Sequence, residues 1–462
     1  MLEGLEITEV TYSKLLDSNI MRMESEFYIS DQTVFLNSEN AGDIVPFVQY
    51  GTSKELNEIN EGYPVLRLNE FESAFISKPA KYCNLLDEDD YISLKLRKDD
   101  VLICRTNGNP KLVGKSALVP RDYEYAFASY LFRVRPNRNY IYPAALVSYL
   151  NSRYGRTEIE KYSMVGNQAN FSPAKFREIK IPIFGQLFNI EIERLTYRAF
   201  EELEKANSLY NNAESILLEY LGISEFAPNR NSISKKLSSS LLLSGRLDAE
   251  YYLPQFDELL NLLEQFDTQM LGELVAILKS VEPGSDYYLK EGIPFVRVSD
   301  LTQFGVTKPS IYLDKEIFKD VIRPKKDTIL LSKDGSIGIA YKVDKDEDFI
   351  TSGAILHLQI IDNNILPDYL ALVINSKVVQ MQAERDSGGS IIQHWKPSEI
   401  SNVVIPILPM EKQLEISQLV QESFILRNES KRLQNVAKTA VEIAIGESEN
   451  TALNYLKENG NG

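Results

Sequence analysis

Two cysteines, Cys83 and Cys104, and two histidines, His357 and His394, are all that the 462 residues contain. Two thiols cannot build a disulfide framework or a cysteine zinc site, and two imidazoles cannot build a histidine-rich metal centre. Tryptophan is rarer still, with Trp395 alone. Positive charge is also short: 50 Lys and Arg stand against 66 Asp and Glu, a net charge of −16. A free-standing nucleic-acid binder is usually basic, so this balance argues against one unless its cations are concentrated on one surface. No apolar run is long enough to cross a bilayer. The opening "MLEGLEITEV" lacks the basic and then apolar regions of a secretion signal. With 44% hydrophobic and 25% charged residues, the composition is that of a cytoplasmic globular protein of two to four domains.

Catalytic signatures are missing too. There is no Asn/Asp-Pro-Pro-Tyr/Phe motif of an amino-methyltransferase and no Gly-rich dinucleotide loop. The nuclease-like Glu178-Ile179-Lys180 has no aspartate between Tyr123 and Lys180 to share a metal ion with it. The acidic run Leu86–Asp90 reads as a solvated loop. One stretch needs closer inspection: "GNPKLVGKSALV", Gly108–Val119, has the Gly-Lys-Ser of a phosphate-binding P-loop. A P-loop places four residues between its first glycine and that trio, so that successive N–H groups curl around a phosphate. Here five intervene, Pro110 removes a donor, and Pro120 stops the helix that should follow. The stretch reads as a polar turn between two strands.

What the chain does contain is itself, twice. "RMESEFY" at Arg22 recurs as "RLDAEYY" at Arg246, an offset of 224. "GYPVLRLNEF" at Gly62 recurs as "GIPFVRVSDL" at Gly292, and "DVLICRTNG" at Asp100 as "DTILLSKDG" at Asp327, offsets of 230 and 227. "YLNS" at Tyr149 and "IPI" at Ile181 return to 224 with "VINS" at Val373 and "IPI" at Ile405. Anchors in one order that return to one offset describe a duplicated unit with loop insertions. In each copy, apolar runs predict strands at 101–105, 116–119, 129–134 and at 328–332, 339–343, 354–360. A short helix follows, and each copy ends in a long helical pattern, Leu187–Leu221 and Glu411–Ile445. Ile192, Leu195, Ala199, Leu203, Ala206, Tyr210, Ala213, Leu217 and Tyr220 step by three and four. Leu419, Leu426, Leu433, Ala437, Ala440 and Ala444 do the same, with Ser423 and Ser430 at seam positions. Small residues on such a seam admit close approach, and two equal helices in equal repeats predict an antiparallel pair with a pseudo-two-fold axis.

Polar loops interrupt the strands at two matching places in each copy. The first copy has Arg105, Asn107, Asn109, Lys111 and Lys115, then Asn167, Gln168 and Asn170; the second has Lys333, Asp334 and Ser336, then Gln393, His394 and Lys396. Arg and Lys suit guanine edges, and Asn and Gln suit adenine. Asn170 falls opposite His394, Phe171 opposite Trp395, and Ile339 opposite Lys115 in a loop three residues shorter. Two loops kept while their residues differ is what two readers of different sequences would display. A protein-binding scaffold is the competing reading, favoured by the negative charge.

On these parts the chain resembles the DNA specificity subunits of type I restriction–modification systems. "DDVLICRTNGNPKLVGKSALV" is similar to the strand–loop–strand of their target recognition domains, and "KPSEISNVVIPILPMEKQLEI" to the passage into their spacer helix. The resemblance covers about Leu15 to Ile445. It implies an α/β (α+β) fold of two tandem mixed target recognition domains separated by two long antiparallel coiled-coil helices. The parts would be residues 1–185 and 231–408 for the domains, 186–230 and 409–447 for the spacer helices, and a frayed tail at 448–462. It implies a non-catalytic subunit that reads a split, asymmetric site in double-stranded DNA through the major groove. Two methyltransferase subunits and restriction/translocase subunits would be its partners, and S-adenosylmethionine, ATP and magnesium would belong to them rather than to this chain. A first helix of 34 residues, Phe188 to Leu221, would span about 50 Å, or about 15 base pairs. The turn reading of Gly108–Val119 makes a direct prediction: titration of the chain with Mg-ATP in a calorimeter gives no binding heat.

Overall fold

Val101–Cys104, wholly apolar, and Leu131–Arg135, with Arg133 and Arg135 among apolar residues, are runs too short to hold a helix, and they become the centre of a sheet. The computed structural model describes residues 9–12, 37–163, 169–226, 234–239, 245–387 and 393–460. Its contacts divide the chain into two compact units. Unit 1 is Met1–Glu204 with Arg427–Gly462, and unit 2 is Lys205–Leu426. Each long helix is thus shared between units, and the boundaries cut through helices rather than beside them.

In unit 1, Leu131–Arg135 pairs antiparallel with Val101–Cys104 and with Phe47–Tyr50, and Ser116–Leu118 closes the other edge. Side chains alternate across a strand, and here both faces are covered. Val101, Ile103, Phe132 and Val134 join one core with the helix Pro143–Leu150, while Leu102, Cys104 and Leu131 join a second core. That second core packs on Tyr63–Leu66, flanked by parallel Ala126–Phe127 and antiparallel Lys81–Cys83.

Unit 2 repeats the plan strand for strand. Val275–Lys279, Ile355–Ile360, Ile329–Ser332 and Ala340–Lys342 stand in the same order, and Ile293–Val296 takes the same two neighbours, one parallel and one antiparallel. The N-cap boxes repeat as well: Glu70 returns to the Arg67 N–H and Asp300 to the Arg297 N–H. One offset needs correction. Asp99 and Asp327 share a left-handed backbone, and the Cys104 N–H donates to Lys115 as the Ser332 N–H donates to Ile339. This strand is therefore offset by 228, not 227. Asp100 matches Thr328, Arg105 matches Lys333, and the following loop is four residues shorter in unit 2 rather than three.

The long helices run Gln186–Tyr220 and Met410–Gly446. Small residues let them touch as expected. In unit 2 the Ser423 hydroxyl donates to the Ala206 carbonyl at 2.7 Å, and Tyr210 and Val420 line one small cavity, so the helices run in opposite directions. In unit 1 Ser430 donates to Ala199 at 2.6 Å. The seam of the second helix lies on Ile416, Val420, Ser423, Arg427 and Ser430; Leu419 sits at its margin, and Tyr220 is exposed. The terminal stretch corrects the sequence reading. Glu449–Asn459 is a helix capped by Ser448, not a frayed tail. Ala452 and Leu456 enter the core of unit 1, and Arg432 and Arg198 donate to the last carbonyls, Asn459 and Gly460.

A hairpin ties each globular body to helix. In unit 1 Glu72 pairs with the buried Arg427, and the Ala74 N–H donates to Gln434 at 3.0 Å. In unit 2 Phe304 packs on Tyr210 and Phe424 with centroids 5.2 and 6.0 Å away. Arg427 is buried while Glu72 keeps 30% of its side chain exposed, so Arg427→Ala lowers stability by about 1–3 kcal/mol, the loss of a charge-assisted hydrogen bond. Chemical denaturation of the wild-type and variant chains measures this loss.

Candidate nucleic-acid interface

The central strand of each unit delivers its next residue into a clamp. The Arg105 N–H donates to Tyr130 at 2.7 Å, and the Arg105 carbonyl accepts the Phe171 N–H at 2.8 Å. In unit 2 the Lys333 N–H donates to Ala354 at 2.9 Å, and its carbonyl accepts the Trp395 N–H at 2.8 Å. Phe171 and Trp395 are fully buried, so both aromatics anchor loops and neither is a stacking wedge. The clamp brings together the loops that the sequence separates by some sixty residues. Thr106–Asn107 pairs with Ala169–Asn170, and Asp334 bridges His394.

Beyond the clamp the side chains differ. Arg105 lies over the Tyr50 ring, 5.4 Å from its centroid, and holds a cation–π contact. Asn107 and Asn109 largely serve their own loop: Asn107 Oδ1 accepts the Asn109 N–H at 2.8 Å, and Asn109 Oδ1 accepts the Lys111 N–H at 3.1 Å. Lys111 is exposed on the turn Pro110–Leu112. Lys115 is half-buried and Asn170 half-buried, the latter accepting Lys175 Nζ on its carbonyl. Asn167 and Gln168 lie outside the described residues. In unit 2 Asp334 is the hub, accepting from Lys333 Nζ and from His394 Nδ1 at 2.8 Å. Burial alone would push its carboxyl up, but those two hydrogen bonds outweigh burial and hold it below the usual carboxylate range. Lys333 is neutralised there. Ser336, Gln393 and His394 are exposed, and Lys396 is exposed but pairs with Glu399 at 3.3 Å.

The Gly-Lys-Ser trio has no donors left for a phosphate nest. The N–H groups of Val113, Gly114 and Lys115 bond to Pro110, Cys104 and Leu112. Ser116 is buried, with its N–H on Asn151 Oδ1 and its hydroxyl on the Gly114 carbonyl. Gly114 is required by its φ of 79°, which Gly338 shares at the matching turn of unit 2. Two residues that the sequence did not single out also belong here. Tyr50 supports Arg105, and Arg156, from the helix Arg153–Tyr162, donates to the Lys111 carbonyl at 3.1 Å. Neither carries a local signal, because each reaches the loop from a separate element.

Residues 264–437 match the family described as type I restriction modification DNA specificity domain. Over 145 residues the chain is 29% identical to the type I restriction enzyme StySPI specificity subunit of Salmonella potsdam, covering 29% of each. It is 28% identical over 145 residues to the EcoKI specificity subunit of Escherichia coli strain K12, again covering 29% of each. The matched stretch thus spans under a third of either relative. Among solved structures, the S subunit of the type I restriction–modification system from M. genitalium is aligned over 92% of this chain and 96% of its own, at 14% identity and a TM-score of 0.36. The HsdS subunit from Thermoanaerobacter tengcongensis is aligned over 89% and 97%, at 14% identity and a TM-score of 0.29.

The clamp aromatic gives a test within this chain. The buried Trp395 Nε1 has no partner among the described residues. Trp395→Phe, the residue of unit 1, therefore costs little, whereas Trp395→Ala opens a cavity and costs about 3–5 kcal/mol. Thermal unfolding followed by circular dichroism separates the two.

Proposed function

We propose that this chain, which carries a type I restriction–modification DNA specificity domain across residues 264–437, is the non-catalytic DNA-reading subunit of such a system. Each unit would read one half of a split site in double-stranded DNA with its clamped loop pair. The observation that carries this reading is the same loop-on-loop clamp in both units with different exposed side chains beyond it. A shared frame with exchanged outer residues suits direct readout, where a single bidentate pair is worth about 1–3 kcal/mol of discrimination. The long helices would serve as the spacer, and two methyltransferase subunits with restriction/translocase subunits would assemble on the chain in the cytoplasm. S-adenosylmethionine, ATP and magnesium would be bound by those partners.

On this reading Arg105 and Lys111 of unit 1, and Ser336, Gln393 and His394 of unit 2, are the side chains best placed to meet DNA. Asn107, Asn109, Lys333, Asp334 and Lys396 are committed mainly to shaping the loops. Methylome sequencing of cells that carry the chain with its partners should reveal one bipartite motif. Exchanging residues 1–230 for those of a relative should rewrite one half of that motif and leave the other. Gln393→Ala with His394→Ala should relax only the half read by unit 2, by about tenfold or more per lost contact. An unsplit motif, or one untouched by the exchange, overturns the proposal.

A further inference from the structure

The clamp of unit 2 sets Asp334 and His394 directly opposite each other. The Gly335 N–H donates to the Gln393 carbonyl at 2.9 Å and the Trp395 N–H to the Lys333 carbonyl at 2.8 Å, so the bonds flank the pair instead of joining it. In an antiparallel ladder this is the kind of pair whose side chains lie closest. His394 Nδ1 is 2.8 Å from Asp334 Oδ1, and Lys333 Nζ donates to the other oxygen, Oδ2. The aspartate side chain is 22% exposed and the histidine side chain 62%. One edge of the imidazole is therefore tied to the protein, while Nε2 has no partner among the described residues and faces solvent.

That tie decides which ring nitrogen carries the proton. Burial pushes the Asp334 carboxyl up, but the hydrogen bonds from Lys333 and His394 outweigh it and keep the group ionised. An ionised carboxylate only accepts, so Nδ1 must donate. A neutral imidazole has a single N–H, which leaves Nε2 as a bare acceptor. Lys333 assists, because an ammonium has donors only and occupies Oδ2, leaving Oδ1 to the ring. Unit 1 fills the same pair with Thr106 and Asn170. There the Thr106 hydroxyl turns to the Ala169 carbonyl at 3.3 Å, and an asparagine amide offers donors and an acceptor together. The one-sided reader belongs to unit 2.

We propose that neutral His394 selects, in the half-site of unit 2, a base with an exocyclic amino group in the major groove, and that Asp334 is the positioning residue that makes it an acceptor. The inference rests on the DNA-reading function. Only adenine N6 and cytosine N4 donate in that groove, whereas guanine and thymine present acceptors there. A guanine or thymine would set lone pair against lone pair, so rejection comes from repulsion as well as from a lost bond. Protonation of the ring turns Nε2 into a donor and reverses the preference. The charged groups around it are Asp334 and Lys333 across the clamp, and the Lys396–Glu399 pair further along its own strand.

The test uses the assembled complex and its own bipartite duplex. Each base of the unit 2 half is replaced in turn by an analogue lacking only the amino group, purine for adenine and pyrimidinone for cytosine. One analogue should weaken wild-type binding by about tenfold and have no further effect on His394→Ala. Which analogue responds identifies the amino group. In Asp334→Asn the amide oxygen goes to Lys333, so the amide N–H faces Nδ1 and the ring proton moves to Nε2. That variant should favour guanine or thymine at the same position, a reversal that a merely loosened loop would not produce, and its melting temperature checks that it folds. Acidification should erase the wild-type preference for the amino-bearing base and leave His394→Ala unchanged. Nitrogen-15 spectra of the full chain, labelled at its two histidines, should show the Nδ1–H tautomer at His394 in mildly alkaline solution. An Nε2–H tautomer, no analogue whose effect vanishes in His394→Ala, or an unchanged preference in folded Asp334→Asn overturns the inference and leaves DNA reading intact. No site-specific binding by the wild-type complex would sink both.

Discussion

The arrangement of the candidate interface depends on two backbone hydrogen bonds at the end of each central strand. Arg105 and Lys333 each give their N–H to the neighbouring strand connection and their carbonyl to the N–H of a buried aromatic. Backbone groups carry no sequence information, so this crossing survives any change of side chain. It holds two loops edge to edge while leaving their outward residues free to vary. Such a separation of frame from content is what a reader of changeable targets requires.

The duplication makes the consequences visible, because each unit is a control for the other. Where unit 1 uses an ion pair, Glu72 with Arg427, unit 2 uses the aromatic contacts of Phe304. The buried Arg133 pairs with Asp100 on the sheet of unit 1; at the matching strand position unit 2 has His357, bonded to Thr351 at 2.8 Å, with its pKa lowered by burial to about 4. The packing problem is constant and the chemistry that solves it is not. A polar group at such a place is therefore weak evidence of function, unless its neighbours leave it unsatisfied.

That distinction explains what could be read from sequence. The strands, the paired loops, the long helices and the repeat were legible because apolar spacing and anchor order survive duplication. The strand register slipped by one at Asp100 because 101–104 is buried on both faces, so the alternation that normally sets register is absent. The helix Glu449–Asn459 is hard to read in the sequence because Ala452, Leu453, Tyr455 and Leu456 make only a short apolar face. Asn107 and Asn109 look like readers in the sequence because an asparagine that shapes a turn and one that reads adenine are the same residue there. Arg156 was invisible for a different reason: it lies 41 residues beyond Lys115, and only the fold brings it to the loop.

The two units also differ in how the chain supplies them. Unit 2 is one continuous stretch, Lys205–Leu426, whose parts follow one another along the chain. Unit 1 needs Arg427 for Glu72, Gln434 for Ala74 and Leu456 for its core, partners drawn from the far end of the polypeptide. Its first two hundred residues must wait on the ribosome with a seam uncovered. The earlier-made residues of unit 1 are therefore closed only by residues made after the whole of unit 2.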